Sequence, residues 1–280
     1  MSGTDEELEV IAKELRFRAI RTSQLSGTPH LGSCLSCMDI LIYLYWRVLN
    51  IDPKNPLCEK RDRFILSKGH AAPALFQVLA ERGFYDSKHL EDYGADGSVF
   101  GEHPPAPQSL PGIEAATGSL GHGLSMGLGM AMAARLRSLS YRTYVILSDG
   151  ECNEGAVWES AMMAAAQGVR SLTAVIDYNK WQATGRSDEI LSIAPLVEKW
   201  IAFGWHVLEI DGHDFTALES AFETANGSKA PTVIVAHTVK GKGVSFMEDD
   251  NNWHYRIPSV DEVRKAAEEL GLANACAQQH

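Results

Sequence analysis

Five short apolar runs, separated by long helical stretches, constrain the fold of this chain more than any other feature. The runs are Phe64-Ile65-Leu66, Tyr144 to Leu147, Leu172 to Ile176, Val207 to Ile210 and Thr232 to Ala236. Several are apolar throughout instead of alternating, which is the pattern of parallel strands covered on both faces. Parallel neighbours need long crossovers, because a tight turn cannot bring the chain back to the same sheet edge. The expected fold class is therefore α/β, a doubly wound and mainly parallel sheet with helices on both faces. No internal repeat or linker interrupts residues 1–280, which read as a single domain with about 272–280 as a flexible tail.

Local signals mark the ends of this frame. Thr4 to Glu7 reads as a capping box, followed by Leu8, Ile11, Leu15 and Ala19 at helical spacing. Ser259 to Glu262 is a second box, with Gly271 placed to stop its helix. Residues 94–118 are rich in Gly and Pro and lack periodicity, and a loop of that length in a compact domain is usually functional or disordered. The following helix carries Gly123, Gly127 and Ala131 at four-residue spacing, a small-residue face that would let another helix approach closely. The segment Gly121-His122-Gly123 misses a dinucleotide fingerprint by one residue and has no acidic ribose partner, which excludes a nicotinamide site.

Charge and cysteine content remove other function classes. Lys and Arg number 25 against 36 Asp and Glu, a formal charge of −11 with no basic stripe, so nucleic-acid binding is excluded. An anionic ligand has to be held by a local site working against the overall field. No transmembrane run or signal peptide is visible, so a cytoplasmic location with no membrane contact is expected. Cys34 and Cys37 form a lone CxxC; without a second pair they read as reduced thiols packed in the core.

The strongest chemical signal is Leu147-Ser148-Asp149-Gly150-Glu151, followed one crossover later by Asp177-Tyr178-Asn179-Lys180. Asp149 and Asn179 both sit at carboxyl ends of expected strands, the edge where open α/β sheets bind ligands. A carboxylate, an amide oxygen and a main-chain carbonyl are hard oxygen ligands suited to Mg²⁺ or Ca²⁺, with positions left for phosphate oxygens. The competing reading is that both are ordinary turn residues.

Asp-Gly with a spaced Asn resembles the thiamine-diphosphate enzymes. Ser67-Lys68-Gly69-His70, Glu102-His103-Pro104, Thr117-Gly118-Ser119-Leu120-Gly121, Glu154 to Glu159, Ala202 to His206, Lys240-Gly241-Lys242-Gly243 and Trp253-His254 resemble transketolase motifs in the same order, from about residue 15 to 270. The resemblance implies Asp149, Asn179 and the carbonyl of Trp181 as metal ligands, with Gly150 and Glu151 on the cofactor side. It implies that His70, the Gly118-Ser119-Leu120 turn, Lys240 and His254 line the diphosphate or the substrate entrance. Ser33, His30 and His103 match polar residues around the thiazolium and the sugar oxygens. Glu154 resembles a buried glutamate that links paired active sites. Candidate catalytic residues are thus His30, His103, His254 and Glu154. The implied cofactors are thiamine diphosphate and Mg²⁺, with Ca²⁺ or Mn²⁺ as substitutes.

Two departures bear on the site. The usual Gly-His-Pro opening reads Thr28-Pro29-His30-Leu31, and Tyr255 stands where a glycine usually follows Trp-His and would narrow the substrate mouth. The chain stops where a full-length transketolase would begin its pyrimidine-binding domain, which brings the glutamate that activates the aminopyrimidine. The resemblance therefore implies a C-terminal partner subunit, an α2β2 assembly, and transfer of a two-carbon ketol unit between sugar phosphates. The alternatives are the α subunit of a 2-oxo acid dehydrogenase and an inactive cofactor-binding scaffold. Ser-Lys-Gly-His and Lys-Gly-Lys-Gly speak against the first, and intact Asp149, Asn179, His70 and His103 against the second. His89, His206, His213, His237 and His280 read as structural or surface groups, while His122 falls in the glycine loop.

Overall fold

All five apolar runs become strands in the computed structural model, which describes residues 3–273. They are β1 (Arg63–Leu66), β2 (Thr143–Ser148), β3 (Leu172–Tyr178), β4 (His206–Asp211) and β5 (Thr232–His237). Every pairing is parallel, in the order β1-β2-β3-β5-β4. Successive side chains leave opposite faces of a strand, so each run feeds two cores. Phe64, Leu66, Tyr144 and Ile146 enter one, while Ile65, Val145 and Leu147 enter the other. Both cores are apolar, which is why the runs lack polar alternation.

The first core is covered by α1 (Asp5–Ser26), α2 (Leu31–Ser36), α3 (Met38–Tyr43), α4 (Ala72–Glu81), α9 (Phe215–Gly227) and α10 (Val260–Glu269). The second is covered by α5 (Gly123–Leu136), α6 (Gly155–Ala166) and α8 (Leu196–Ala202), and the short α7 (Ser187–Leu191) precedes α8. The chain steps outward from β3 to the edge strand β4, then back to β5. Right-handed crossovers then require α8 and α9 on opposite faces. Trp200 of α8 and Phe222 of α9 are accordingly buried in different cores. Both capping boxes form, and Gly271 takes the left-handed backbone (φ 76°) just past α10. Among the described residues, no helix is long and apolar enough to cross a membrane. The expected flexible tail falls almost wholly outside the described residues.

One expectation is corrected. The Gly123/Gly127/Ala131 stripe receives the sheet, not another helix. A Cβ on Gly127 would lie 2.5 Å from Cγ2 of Val145 in β2. A sheet of branched side chains demands the same small face as a close helix partner, so spacing alone does not separate the two.

A buried charged group ties the helical layer to the ligand-binding edge of the sheet. Arg16 Nη2 of α1 lies 2.6 Å from Asp39 Oδ2 of α3, with both side chains buried. Asp39 Oδ2 also meets His213 Nδ1 at 2.7 Å. The Val239 amide donates to His213 Nε2 at 2.9 Å, so Nδ1 carries the proton that reaches Asp39. His213 is structural, as its sequence context suggests. Burial alone would raise the Asp39 carboxyl, but Arg16 and His213 outweigh it and hold it at about 2.

Replacing Asp39 with Asn leaves the Arg16 guanidinium buried without its counter-charge, and breaking such a pair costs about 3–5 kcal/mol. Urea titration of Asp39→Asn at neutral pH should show a loss of that order. The sign with pH follows from the depressed carboxyl. Its contribution is complete above the unfolded value near 4 and fades as pH falls toward about 2, so parent and variant should converge in acid. Equal midpoints at neutral pH would show that the pair contributes nothing.

Candidate functional site

The strands end level at one edge. Ser67 N donates to Ile146 O at 2.8 Å, Ser148 is in register with Asp177, and Tyr178 with His237. Residues just past β1, β2, β3 and β5 therefore converge there, as their spacing predicts.

Asp149 is fully buried at the end of β2. Its Oδ2 accepts from Ser187 Oγ at 2.7 Å, while its Oδ1 has no partner. Burial pushes its carboxyl up to about 6. A buried, unpartnered carboxylate oxygen is costly and calls for a cation or a donor. Asn179, also buried, directs Nδ2 to Asp177 Oδ2 (3.3 Å) and Ser36 Oγ (3.4 Å), and its Oδ1 accepts from Trp181 N at 3.0 Å. Lys180 takes the left-handed backbone (φ 68°) and turns the chain into a small loop closed by the Trp181–Arg186 bridge. That loop returns Ser187 to Asp149. Among the described residues there is no group of three or more His, Cys, Asp or Glu that could hold a metal. The donor set is instead a carboxylate, an amide and main chain, which suits a hard cation.

Beside this end lies a histidine cluster. The His30 ring is 4.9 Å from His254, 5.5 Å from His70 and 6.4 Å from His103, measured between centroids. His30 opens α2 from a left-handed backbone (φ 73°) and its amide donates to His254 O at 2.8 Å. Lys240 Nζ reaches Asn251 Oδ1 at 2.6 Å and His254 Nδ1 at 3.2 Å. Burial, then the neighbouring Lys240, lowers His254 to about 3. His70 is held well below its ordinary value by burial and Lys68, and burial lowers His30. These three imidazoles are neutral at pH 7. Burial, with Lys68 nearby, brings Lys240 down to about 8, so it stays mostly cationic there.

The long loop closes the other side. Thr117 Oγ1 donates to Leu66 O at 2.7 Å, pinning the loop to the end of β1. Gly118 has φ 143°, and a Cβ there would lie 2.6 Å from His103 Cδ2, so the turn requires glycine. Ser119 and His103 are exposed, and Leu120 is half-buried. The Tyr255 ring, 61% exposed, stands 4.7 Å from His254 and 6.1 Å from His30, at the mouth of the cluster.

Two candidates stand apart. Glu151 is buried, and its carboxylate accepts from Ser67 Oγ, Gly121 N (2.8 Å) and Ser148 N (3.2 Å). Both oxygens are engaged in holding the strand-end loops together. Glu154, expected to be buried, is exposed in this chain at the start of α6 beside Gly121. Ser33 and Gly150 lie within the site, with the Ser33 carbonyl accepting from Lys68 Nζ at 2.9 Å.

Lys68 and Asp177 were not singled out from the sequence. They form an ion pair with no exposure of either side chain. Asp177 Oδ2 also accepts from Ser36 Oγ (2.6 Å), and Oδ1 from Thr238 Oγ1. The available signals were a lysine inside the Ser-Lys-Gly-His motif and an acid near the end of a mostly apolar strand.

The family model described as transketolase, thiamine diphosphate binding domain, matches residues 8–277. The chain is 38% identical over 266 residues to an apulose-4-phosphate transketolase subunit of Phocaeicola vulgatus, covering 95% of this chain and 94% of that protein. It is 39% identical over 268 residues to 6-deoxy-6-sulfo-D-fructose transketolase subunit SqwG of Clostridium sp., covering 95% and 97%. Transketolase from Campylobacter jejuni superposes with a TM-score of 0.90 at 30% identity, covering 95% of this chain and 43% of that one. The chain thus spans less than half the length of that solved enzyme.

The CxxC pair lies in the core behind the site. Cys34, Cys37 and Cys152 are buried free thiols, and burial pushes Cys34 and Cys37 up to about 12. Thiolate, the reactive form, is scarce at such a position. In native-state alkylation followed by peptide mass mapping, half-buried Cys58 should label while Cys34, Cys37 and Cys152 stay unmodified until the chain unfolds. Rapid native labelling of Cys34 or Cys37 would restore a redox reading of the motif.

Proposed function

Because the chain belongs to the transketolase family, as its thiamine diphosphate binding part, we propose that it is the cofactor-holding subunit of a two-chain transketolase. The observation that carries this reading is the buried, unpartnered Oδ1 of Asp149, next to an oriented Asn179 amide and the Lys240–histidine cluster. In this reading Asp149, Asn179 and the Trp181 carbonyl hold Mg²⁺, with Ca²⁺ or Mn²⁺ as substitutes. Lys240, His70 and the Gly118-Ser119-Leu120 amides receive the diphosphate, supplying charge and donors in a chain whose overall charge is −11. Thiamine diphosphate, when bound, supplies the carbon that carries the two-carbon ketol unit. Neutral His30 and His254, with exposed His103, then face the sugar, where they donate hydrogen bonds to its oxygens and move protons.

The relatives named as subunits are matched over nearly their whole length, which supports a partner chain that contributes the pyrimidine-binding domain and its glutamate, in an α2β2 assembly. Exposed Met126 on α5 and Met162 and Met163 on α6 support a surface covered by another chain. Exposed Glu154 would gain its burial there. Ketoses with an anionic end, such as sugar phosphates, are the proposed substrates, and Tyr255 narrows their path to His254.

Calorimetric titration with thiamine diphosphate and Mg²⁺ tests the site. Asp149→Ala and Asn179→Ala should each abolish Mg²⁺-dependent binding with the fold intact by circular dichroism, and unchanged affinity in either variant would refute the metal assignment. In the reconstituted enzyme, His103→Ala should lower kcat about a hundredfold or more with little change in cofactor affinity. The chain by itself should transfer no ketol unit, and mixing it with the pyrimidine-domain subunit should start the reaction. Ketol transfer by the purified single chain would overturn the two-chain reading.

A further inference from the structure

We propose that the buried Lys68–Asp177 pair is a positioning device that decides which end of the Asn179 amide faces the metal. The inference rests on the cofactor reading above and concerns the residues behind the ligand. A side-chain amide has two ends of nearly equal size, and only its oxygen can bind a hard cation. Packing alone does not choose between them, so hydrogen bonds have to.

The choice follows from donor and acceptor counts. Asp177 as a carboxylate accepts and never donates. Its Oδ2, 3.3 Å from Asn179, therefore admits only the NH₂ end of the amide. Ser36 makes the same selection by a second route. Its one hydroxyl proton is committed to Asp177 Oδ2 at 2.6 Å, so toward Asn179 Nδ2 at 3.4 Å it offers a lone pair. On the opposite side Trp181 N donates at 3.0 Å, which fits only the oxygen end. All three contacts agree, and Oδ1 is left where a metal ligand is needed.

Asp177 can make this selection only while it is a carboxylate, and its side chain has no exposure. Lys68 supplies the counter-charge, and its Nζ is fixed in turn by the Ser33 carbonyl at 2.9 Å. Ser36 and Thr238 add O–H donors to the two carboxylate oxygens. A neutral amide at 177 could turn its own NH₂ toward Asn179 and accept the flipped rotamer. Lys68 and Asp177 thus act on the metal through Asn179 without touching it.

The test uses the full chain with thiamine diphosphate, titrated once in EDTA and once in saturating Mg²⁺. The double variant Lys68→Met/Asp177→Asn removes both charges together and leaves no lone buried charge. Ser36→Ala is the milder variant and keeps the ion pair. Losing a partner that orients a metal ligand typically weakens metal affinity about 10–100-fold. The double variant should lose that much of the Mg²⁺-dependent gain in cofactor affinity, and Ser36→Ala a smaller part of it. Affinity in EDTA should be unchanged in both, a split that general structural damage would not produce. If the double variant does not fold, Ser36→Ala decides by the same split. Wild-type Mg²⁺ dependence in the folded variants, or equal losses with and without metal, would overturn the proposal. A parent chain whose cofactor binding ignores Mg²⁺ would instead sink the metal site itself, and this inference with it.

Discussion

The edge of the sheet is organised around one charge pair that never meets water. Lys68 follows β1 and Asp177 is the penultimate residue of β3, and neither side chain has any exposure. Each charge depends on the other. Burial would raise Asp177, but Lys68 holds it below its ordinary value; burial would lower Lys68, but Asp177 raises it. Buried pairs of this kind contribute little net stability, since desolvation offsets most of the attraction. Their effect is on geometry. Through Ser33, Ser36, Thr238 and Asn179 the pair sets α2, the loop after β5 and the amide after β3 in one arrangement.

That arrangement answers an electrostatic problem posed by composition. A chain with formal charge −11 has to gather positive potential at one point before it can hold a diphosphate. Lys240 is brought to the site and buried there, and its Nζ donates to Nδ1 of neutral His254, which adds no repulsion. Asp149 Oδ1, buried and without a hydrogen-bond partner, is where the proposed function puts a divalent cation. Glu151 and Asp177, also at this edge, are fully consumed by internal donors.

The sheet was legible because parallel strands buried on both faces leave unbroken apolar runs, and all five were read within a residue or two of their ends. Asp149 and Asn179 were legible because a strand end one crossover from another has to lie beside it. The histidine cluster was not a matter of periodicity. His30, His70, His103 and His254 come from four separate segments, and only ordered motif resemblance pointed to them together. Lys68, Asp177 and Ser187 escaped because their roles depend on partners far away in sequence: 109 residues separate Lys68 from Asp177, and 38 separate Ser187 from Asp149. Glu154 shows the opposite limit. The burial that the resemblance implied is not met within this chain, where Glu154 is exposed at the start of α6.

Burial across the site therefore runs in one direction. Asp149, Asn179, Lys68 and Lys240 are sealed inside the chain, while His103, Ser119, Tyr255 and Glu154 are open. The sealed end needs only hard oxygen ligands and fixed charge, and a single chain can preorganise both at the cost of its own buried polar groups. Proton movement at the reacting carbon needs water excluded from the open end as well. This fold covers one end of its site and leaves the other open. On the function proposed above, that division would put metal and diphosphate recognition at the sealed end and leave closure to the open side, where Tyr255 and His103 stand.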